Sequence, residues 1–456
     1  HTSAHRALFG KSVVAVVQAL TARSTTNADV RCSFLFVYFD ASSFAHLYLH
    51  THFFVCSSAS PQVATPVSVR AHAFLTLGKL CLHDASLAQL CVAVLVRELT
   101  PGAEGEADVD AVVRSNVLVV LGDLCKQHTG VVERYVPDVA RCLQDRSHIV
   151  RENALLVISS LLLEGFIRLR GPVFFRMLAS FALESHPADA ERISAPSAQA
   201  HARMANNVRH TIFEIFARRD QALLPSHFVE AMFVFNDCAD HPAYRRWVEE
   251  GMGAGAAPVA SEGADATAEL AGAYSSEASR AAANEAKAVF SLAGGDALSM
   301  TRRRTVYAAM LASMGAEGKL RVTARIGREV LAAALEGSVR IDATLGGTAT
   351  PSSQLLLDAF DVLCCEDIKV KVGASSSAGA EYDADAASQL NEDDAAAGAK
   401  PMQAAIASAR TRLLSRMNRK AVLEHVVPVL IALKQKLEAS NSPLVGSLMR
   451  YLKQLF

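Results

Sequence analysis

Tryptophan is nearly absent from this sequence. There is one in 456 residues, beside eight tyrosines, in a chain whose apolar half is dominated by Ala, Leu and Val. That shortage disfavours a β sandwich and favours an all-α protein. Long apolar runs are missing too. The stretch that comes nearest to a membrane span, Ser33 to Cys56, is interrupted by Asp40, His46, His50 and His52, groups that a bilayer helix tolerates poorly. The nine cysteines form no C-x-x-C pair, and adjacent Cys364 and Cys365 have no matching pair elsewhere. Cys81, Cys91 and Cys125 sit within helical apolar patterns, so we expect buried thiols in a reducing compartment. No secretory signal and no N-x-S/T acceptor occurs. The chain starts on His1 and stops inside a helical pattern at Phe456, so we expect the natural termini to lie beyond both ends.

Catalytic signatures are equally scarce. No H-E-x-x-H, G-x-S-x-G or G-x-G-x-x-G is present. Gly10-Lys11-Ser12 is half of a phosphate loop, but His5 stands where its first glycine belongs and no apolar strand precedes it. His83 beside Asp84 reads as a capping pair at a turn between helices rather than an acid–base pair. We therefore expect no enzyme, no catalytic residue, no metal site and no cofactor.

What is present is a repeat. Val69-Arg70-Ala71-His72-Ala73 leads to Leu77-Gly78-Lys79-Leu80. Val113-Arg114-Ser115-Asn116-Val117 leads to Leu121-Gly122-Asp123-Leu124. Val150-Arg151-Glu152-Asn153-Ala154 leads to Ile158-Ser159-Ser160-Leu161. The starts lie 44 and then 37 residues apart, which is HEAT/armadillo spacing. In the second unit Val113, Val117, Val120, Leu121 and Leu124 share one helical face. A polar break, Lys126–Gly130, then separates it from a second apolar helix over about Val131–Leu143, with Pro137 near an end or kink. Two such helices cannot bury their faces alone, so neighbouring pairs must stack. The fold class predicted is an all-α, HEAT/armadillo-type α-solenoid of stacked antiparallel helix pairs with two low-complexity inserts.

The repeat arginines have a structural reading. Asp108 stands six residues before Arg114, and Asp145 six before Arg151. We expect each Asp near the turn entering its helix, paired with an Arg of its own or the adjoining unit. This ladder of Arg70, Asp108, Arg114, Asp145 and Arg151 would fix repeat register. The first unit has Ala64 at the Asp position.

The chain divides as follows. Residues 1–61 match no repeat and crowd eight aromatics between Phe34 and Phe54; they are unassigned, with a gene-model artefact as one explanation. Repeats occupy 62–246, including a degenerate fourth unit from Asn206 in which Val208-Arg209 leads to Phe216 and a second helix covers about Pro225–Asn236. An acidic, Ala/Gly-rich insert covers 247–289. Helical repeats resume over 290–373, with periodic runs at 302–311, 319–335 and 354–364. A second acidic linker spans 374–400, and 401–456 reads as two or three helices broken at Pro428 and Pro443. Net charge is −1, but without the two acidic inserts the remainder carries nine more basic than acidic residues. That excess suits nucleic acid or an acidic partner. The candidate contacts are Arg302-Arg303-Arg304 and the set Arg412, Arg416, Arg419 and Lys420, which fall on one helical face.

Longer runs carry a family resemblance. Val67–Leu99 resembles the corresponding HEAT pair of the condensin II D-type subunit, and Val113–Leu162, continued by Gly165–Pro172 (GFIRLRGP), resembles the core shared by the D-type subunits of condensins I and II. His227–Asn236 (HFVEAMFVFN), Phe290–Gly294 (FSLAG), Arg302–Tyr307 (RRRTVY), Asp358–Lys369 (DAFDVLCCEDIK) and His425–Phe456 are similar to condensin II. The resemblance implies a non-catalytic regulatory non-SMC subunit in the nucleus and on chromosomes, supporting mitotic chromosome condensation. Its implied partners are the kleisin, the SMC ATPase pair through the complex, the second HEAT subunit, and DNA or chromatin, with histone tails among the contacts; no membrane is implied. The family offers no catalytic motif to transfer. The alternative reading is another HEAT adaptor, of nuclear-transport or adaptin-like kind, that binds peptides.

Overall fold

The structure is a computed structural model. It describes residues 36–37, 49–50, 67–100, 111–169, 171–188, 195–244, 246–247, 292–339, 350–368, 422–440 and 442–455, together with 409, 410, 412, 413, 416, 417 and 420. The fold is all-α with HEAT-type repeats; the only extended pairing among the described residues is a two-residue antiparallel ladder, Phe36–Val37 with Leu49–His50. The inserts, apart from Trp247, and nearly all of residues 1–61 lie outside the described residues. The chain divides into two compact units, His1–Val173 with Glu249–Ala286, and Phe174–Val248 with Lys287–Phe456.

The first unit begins with the hairpin α1 (Val67–His83) and α2 (Ala85–Arg97), joined through Asp84. The Asp84 carboxylate accepts from the amides of Ser86 (2.9 Å) and Leu87 (3.4 Å), satisfying donors that the first turn leaves open. Phe74, Leu77 and Cys81 of α1 are buried, as are Leu87, Cys91, Val92, Leu95 and Val96 of α2. Helix α3 (Ala111–Gln127) buries the five apolar residues of its predicted face. It packs on α1 on one side and on α5 (His148–Leu163) on the other. Between α3 and α5 the second helix is not a single element. It runs as a turn of α-helix at Thr129–Val132, a 3-10 turn at Glu133–Tyr135, α4 (Val136–Arg141) and another 3-10 turn at Cys142–Gln144. Pro137 has no N–H for the preceding turn and restarts the helix in its own first turn. Gly165, at φ +81°, ends α5: the Phe166 amide bonds back to the Leu161 carbonyl at 2.9 Å.

The second unit contains α6 (Gly171–Ser185, from Phe174 on), α7 (Ala195–Arg209), α8 (Leu223–Phe235), α9 (Ala297–Ala312), α10 (Ala316–Arg325), α11 (Pro351–Cys364), α12 (Val427–Ala439) and α13 (Leu444–Leu455). Its core holds Phe175, Phe228, Phe233, Phe235, Tyr307 and Phe360, and full burial of each such side chain stabilises by about 1.5–3 kcal/mol. Pro428 lies in the first turn of α12 and Pro443 just precedes α13. Helices α7 and α10 both continue into π-helical turns, His210–Phe216 and Ile326–Ala332, which a 3.6-residue pattern does not reveal.

Candidate functional site

The first unit places the repeat arginines. Arg114 is fully buried and makes a two-pronged ion pair with Asp145, with Nε to Oδ2 and Nη2 to Oδ1 both at 2.8 Å. Asp145 precedes α5, one repeat further on, and its Oδ1 also accepts from the Ser147 amide at 2.8 Å. Arg151 holds the backbone at the same turn, donating to the carbonyls of Asp145 (2.9 Å) and Arg146 (3.1 Å). Arg70 pairs with Glu98 at 2.9 Å, just past α2; its expected register partner, Asp108, lies outside the described residues.

Two further rungs are not evident from the sequence pattern. The Asn116 amide donates to the Ala71 carbonyl (3.4 Å) and the Asn153 amide to Ser115 Oγ (2.5 Å), so the Asn of each unit reaches back to the preceding first helix. The Leu-Gly step supplies the other. A Cβ on Gly78 would meet the Val120 methyls at 2.5 and 2.6 Å, and one on Gly122 would meet Val157 at 3.0 Å. The glycines let α1, α3 and α5 approach closely. Both signals stand in the aligned repeats, but only the packing assigns their partners.

In the second unit the Arg302-Arg303-Arg304 run is not uniformly exposed: Arg303 is buried, Arg302 half-buried and Arg304 exposed. Arg303 has its Nε 2.7 Å from Asp358 Oδ2 and its Nη1 donating to the carbonyls of Leu292 (2.8 Å) and Gly294 (3.1 Å). Its neighbours are also engaged: Arg302 Nε donates to the His186 carbonyl at 2.8 Å, and Arg304 pairs with Asp361. The physical reason is helical phase. Residue 303 falls on the face of α9 that also buries Val306, Tyr307 and Met310. Asp358 is the centre of this cluster. Its Oδ2 additionally accepts from Asn236 Nδ2 (2.8 Å) and Tyr307 Oη (3.2 Å). Burial and the Asp358 charge hold the Tyr307 phenol well above its ordinary pKa, so it stays a donor. Asp358 was visible in sequence only as part of a resembling run.

The C-terminal basic set divides. Arg412, Arg416 and Lys420 are exposed, Lys420 lying 3.7 Å from Glu424; Arg419 lies outside the described residues. Leu413 and Met417 are exposed beside them, so this surface is apolar as well as basic. Arg410 reaches Glu317 at 3.3 Å. An open groove of about 530 Å³ is lined by Pro225, Ser226, Glu230, Arg321, Ala324 and Arg325. Its floor is held by Arg325, which donates to the carbonyls of Pro225 (3.1 Å) and Ser226 and to Glu329 (3.0 and 2.9 Å).

Among the described residues no group of His, Cys, Asp or Glu could hold a metal ion, and no helix is long and apolar enough to cross a membrane. Cys81, Cys91, Cys125, Cys142 and Cys238 are buried. Burial pushes the Cys142 thiol up to about 12 and the Cys125 thiol up to about 11, away from the thiolate that a nucleophile requires.

Stacked helix pairs locked by Arg–Asp and Asn rungs, with exposed basic and apolar surface, define a HEAT-repeat scaffold. Two family models described as condensin-2 complex subunit D3-like HEAT repeats match residues 3–99 and 370–456, and one described as non-SMC mitotic condensation complex subunit 1 matches 112–223. The first of these reaches into the stretch where we found no repeat. Similar proteins include condensin-2 complex subunit D3-L of Xenopus laevis (28% identity, 86% of this chain and 21% of that protein) and subunit D3 of Mus musculus (27%, 88% and 21%). Condensin-2 complex subunit CAP-D3 of Arabidopsis thaliana is 28% identical over 84% of this chain and 24% of its own length. No solved structure gives a significant match. Over most of its length the chain is similar to the D-type HEAT-repeat subunits of condensin II. It spans about a fifth of the length of the animal relatives it matches.

Proposed function

We propose that this chain is a non-catalytic scaffold that binds the kleisin of condensin II and DNA, and so supports mitotic chromosome condensation on chromosomes in the nucleus. The observation that carries the reading is a body of rigidly registered repeats whose relatives over most of its length are condensin-2 D3 subunits. The exposed cations Arg412, Arg416 and Lys420, with Arg419, supply phosphate contacts; Arg offers a fixed fork and Lys a point charge. The SMC pair and the second HEAT subunit are reached through the complex, and histone tails are a further chromatin contact. ATP hydrolysis is assigned to the SMC partners, not to this chain.

The test is co-purification of the chain with a tagged kleisin and, separately, titration with duplex DNA over a range of salt. A stoichiometric kleisin complex and a salt-dependent DNA affinity are expected. A folded chain that binds no kleisin segment would overturn the scaffold assignment, and imaging through mitosis that places the chain on vesicles or nuclear pores would favour an adaptin-like or transport adaptor.

A further inference from the structure

Large apolar side chains with high exposure are not scattered over this protein. Nine are found among the described residues, and five of them stand on two adjacent helices. Val112 (54% exposed) and Val119 (44%) are on α3; Ile149 (61%), Leu156 (56%) and Leu163 (38%) are on α5. Isolated exposed apolar residues are ordinary, but a contiguous set marks an interaction surface. The set is also in register. Adding the 37-residue repeat offset to Val112 and Val119 gives Ile149 and Leu156, so the four form two apolar rows running across the helices. Between the rows lie Asn116 and Asn153, whose amides are already engaged with α1 and α3.

The dimensions select an occupant. Residues seven apart on a helix are about 10.5 Å apart along its axis, and packed helices lie about 8–10 Å apart. The spacing between rows, and the spacing between helices along a row, are therefore each close to the i, i+7 repeat of one partner helix. The patch measures about 10 Å by 21 Å, roughly a quarter of the ~800 Å² that each partner contributes to a standard stable interface. That is too small for a second copy and enough for one helix. The flanking cation Lys126 is paired with Glu164 at 2.7 Å, and the His148 ring lies 3.7 Å from the Glu152 carboxylate. No cationic excess remains there for a phosphate backbone.

We infer that the α3–α5 face is a docking surface for a single amphipathic helix from a protein partner, with apolar residues at heptad spacing and near-neutral flanks. This site is separate from the basic C-terminal surface and does not depend on its assignment. It is tested by fluorescence anisotropy of the whole chain against a labelled helical peptide about three heptads long, with Leu at the a and d positions and balanced charge. Saturable binding is expected, weakened at least about tenfold in Leu156→Glu and Ile149→Glu. Leu90→Glu, at a 60% exposed leucine of α2 outside the rows, should bind as the parent does. Circular dichroism verifies that each variant is folded. Equal binding of a composition-matched scrambled peptide, no saturable binding, or insensitivity to both row variants would overturn the inference. So would a concentration-dependent dimer that Leu156→Glu dissolves, because that would assign the face to a second copy.

Discussion

Arg114 and Asp145 meet with both side chains out of water. Burying such a pair costs desolvation, so its net stabilisation over an apolar pair is small, whereas removing one partner strands the other. Arg114→Ala should therefore destabilise the first unit by about 3–5 kcal/mol in denaturant unfolding, while Arg114→Met with Asp145→Leu should recover most of that loss. His241 gives a pH-dependent counterpart. Its ring stacks on Trp247, with centroids 4.6 Å apart, and its Nδ1 accepts from the Ala243 amide. Burial holds its pKa below the ordinary 6.5, against the opposing charges of Glu230 and Glu329. The folded state thus binds this proton less readily than the unfolded chain. Its contribution to stability is complete at neutral pH and declines as pH falls through about 6.5. Fluorescence of Trp247, the single tryptophan, followed through denaturant unfolding should show a lower midpoint at about pH 5.5 than at about pH 7.5, with the difference reduced in His241→Phe.

Helices in the first unit are spaced by absent side chains as much as by present ones. Gly78→Ala forces a methyl against Val120, and Gly122→Ala does so less severely against Val157. Such overpacking costs about 1–3 kcal/mol, so Gly78→Ala should lower the unfolding midpoint more than Gly122→Ala. Gly130→Ala is the control. A Cβ there meets nothing within 4 Å, and the change should be neutral or stabilise by up to about 1 kcal/mol through the unfolded chain. The same helices carry the exposed rows on their opposite arc, so one repeat register sets both the core packing and the spacing of the outer face.

Over the whole molecule, a formal charge of −1 hides a basic remainder beside two acidic inserts. If Arg412, Arg416 and Lys420 neutralise phosphates, reversing all three should weaken DNA binding. It should also reduce the slope of log affinity against log salt by up to about 0.9 for each phosphate no longer neutralised. Arg303→Glu should act differently. It should unfold the second unit by placing an uncompensated charge beside Asp358, which denaturant unfolding without DNA would detect. An unchanged salt slope in the triple reversal would reduce the C-terminal cations to a solvated face. In that case the kleisin assignment would rest on its own binding test.

Repeat spacing, the apolar face of α3 and the alternation of helix with break were legible because they depend only on local periodicity and on what Gly and Pro do to a backbone. A helix resumes at Ala297, a few residues after the expected Phe290, and α13 starts just past Pro443 for the same reason, whereas Pro428 breaks nothing: the π-helical turn Val422–Val426 runs directly into α12. The four short segments between α3 and α5, and the π-turns, were not legible. They express how one helix end is pulled onto its neighbours, and periodicity averages that away. Charge was legible as charge but not as place: Arg302-Arg303-Arg304 looks like one basic run, while helical phase sends Arg303 inward to Asp358, 55 residues away. The sequence by itself determined a register of repeating helix pairs, through residues whose preferences act within a turn or two. Only the tertiary structure decided which Arg meets which Asp, which Gly faces which Val, and that Val112, Val119, Ile149 and Leu156 share one outer face. The Arg–Asp pairs join residues 31 and 55 apart, and no local rule selects among the partners available at that distance.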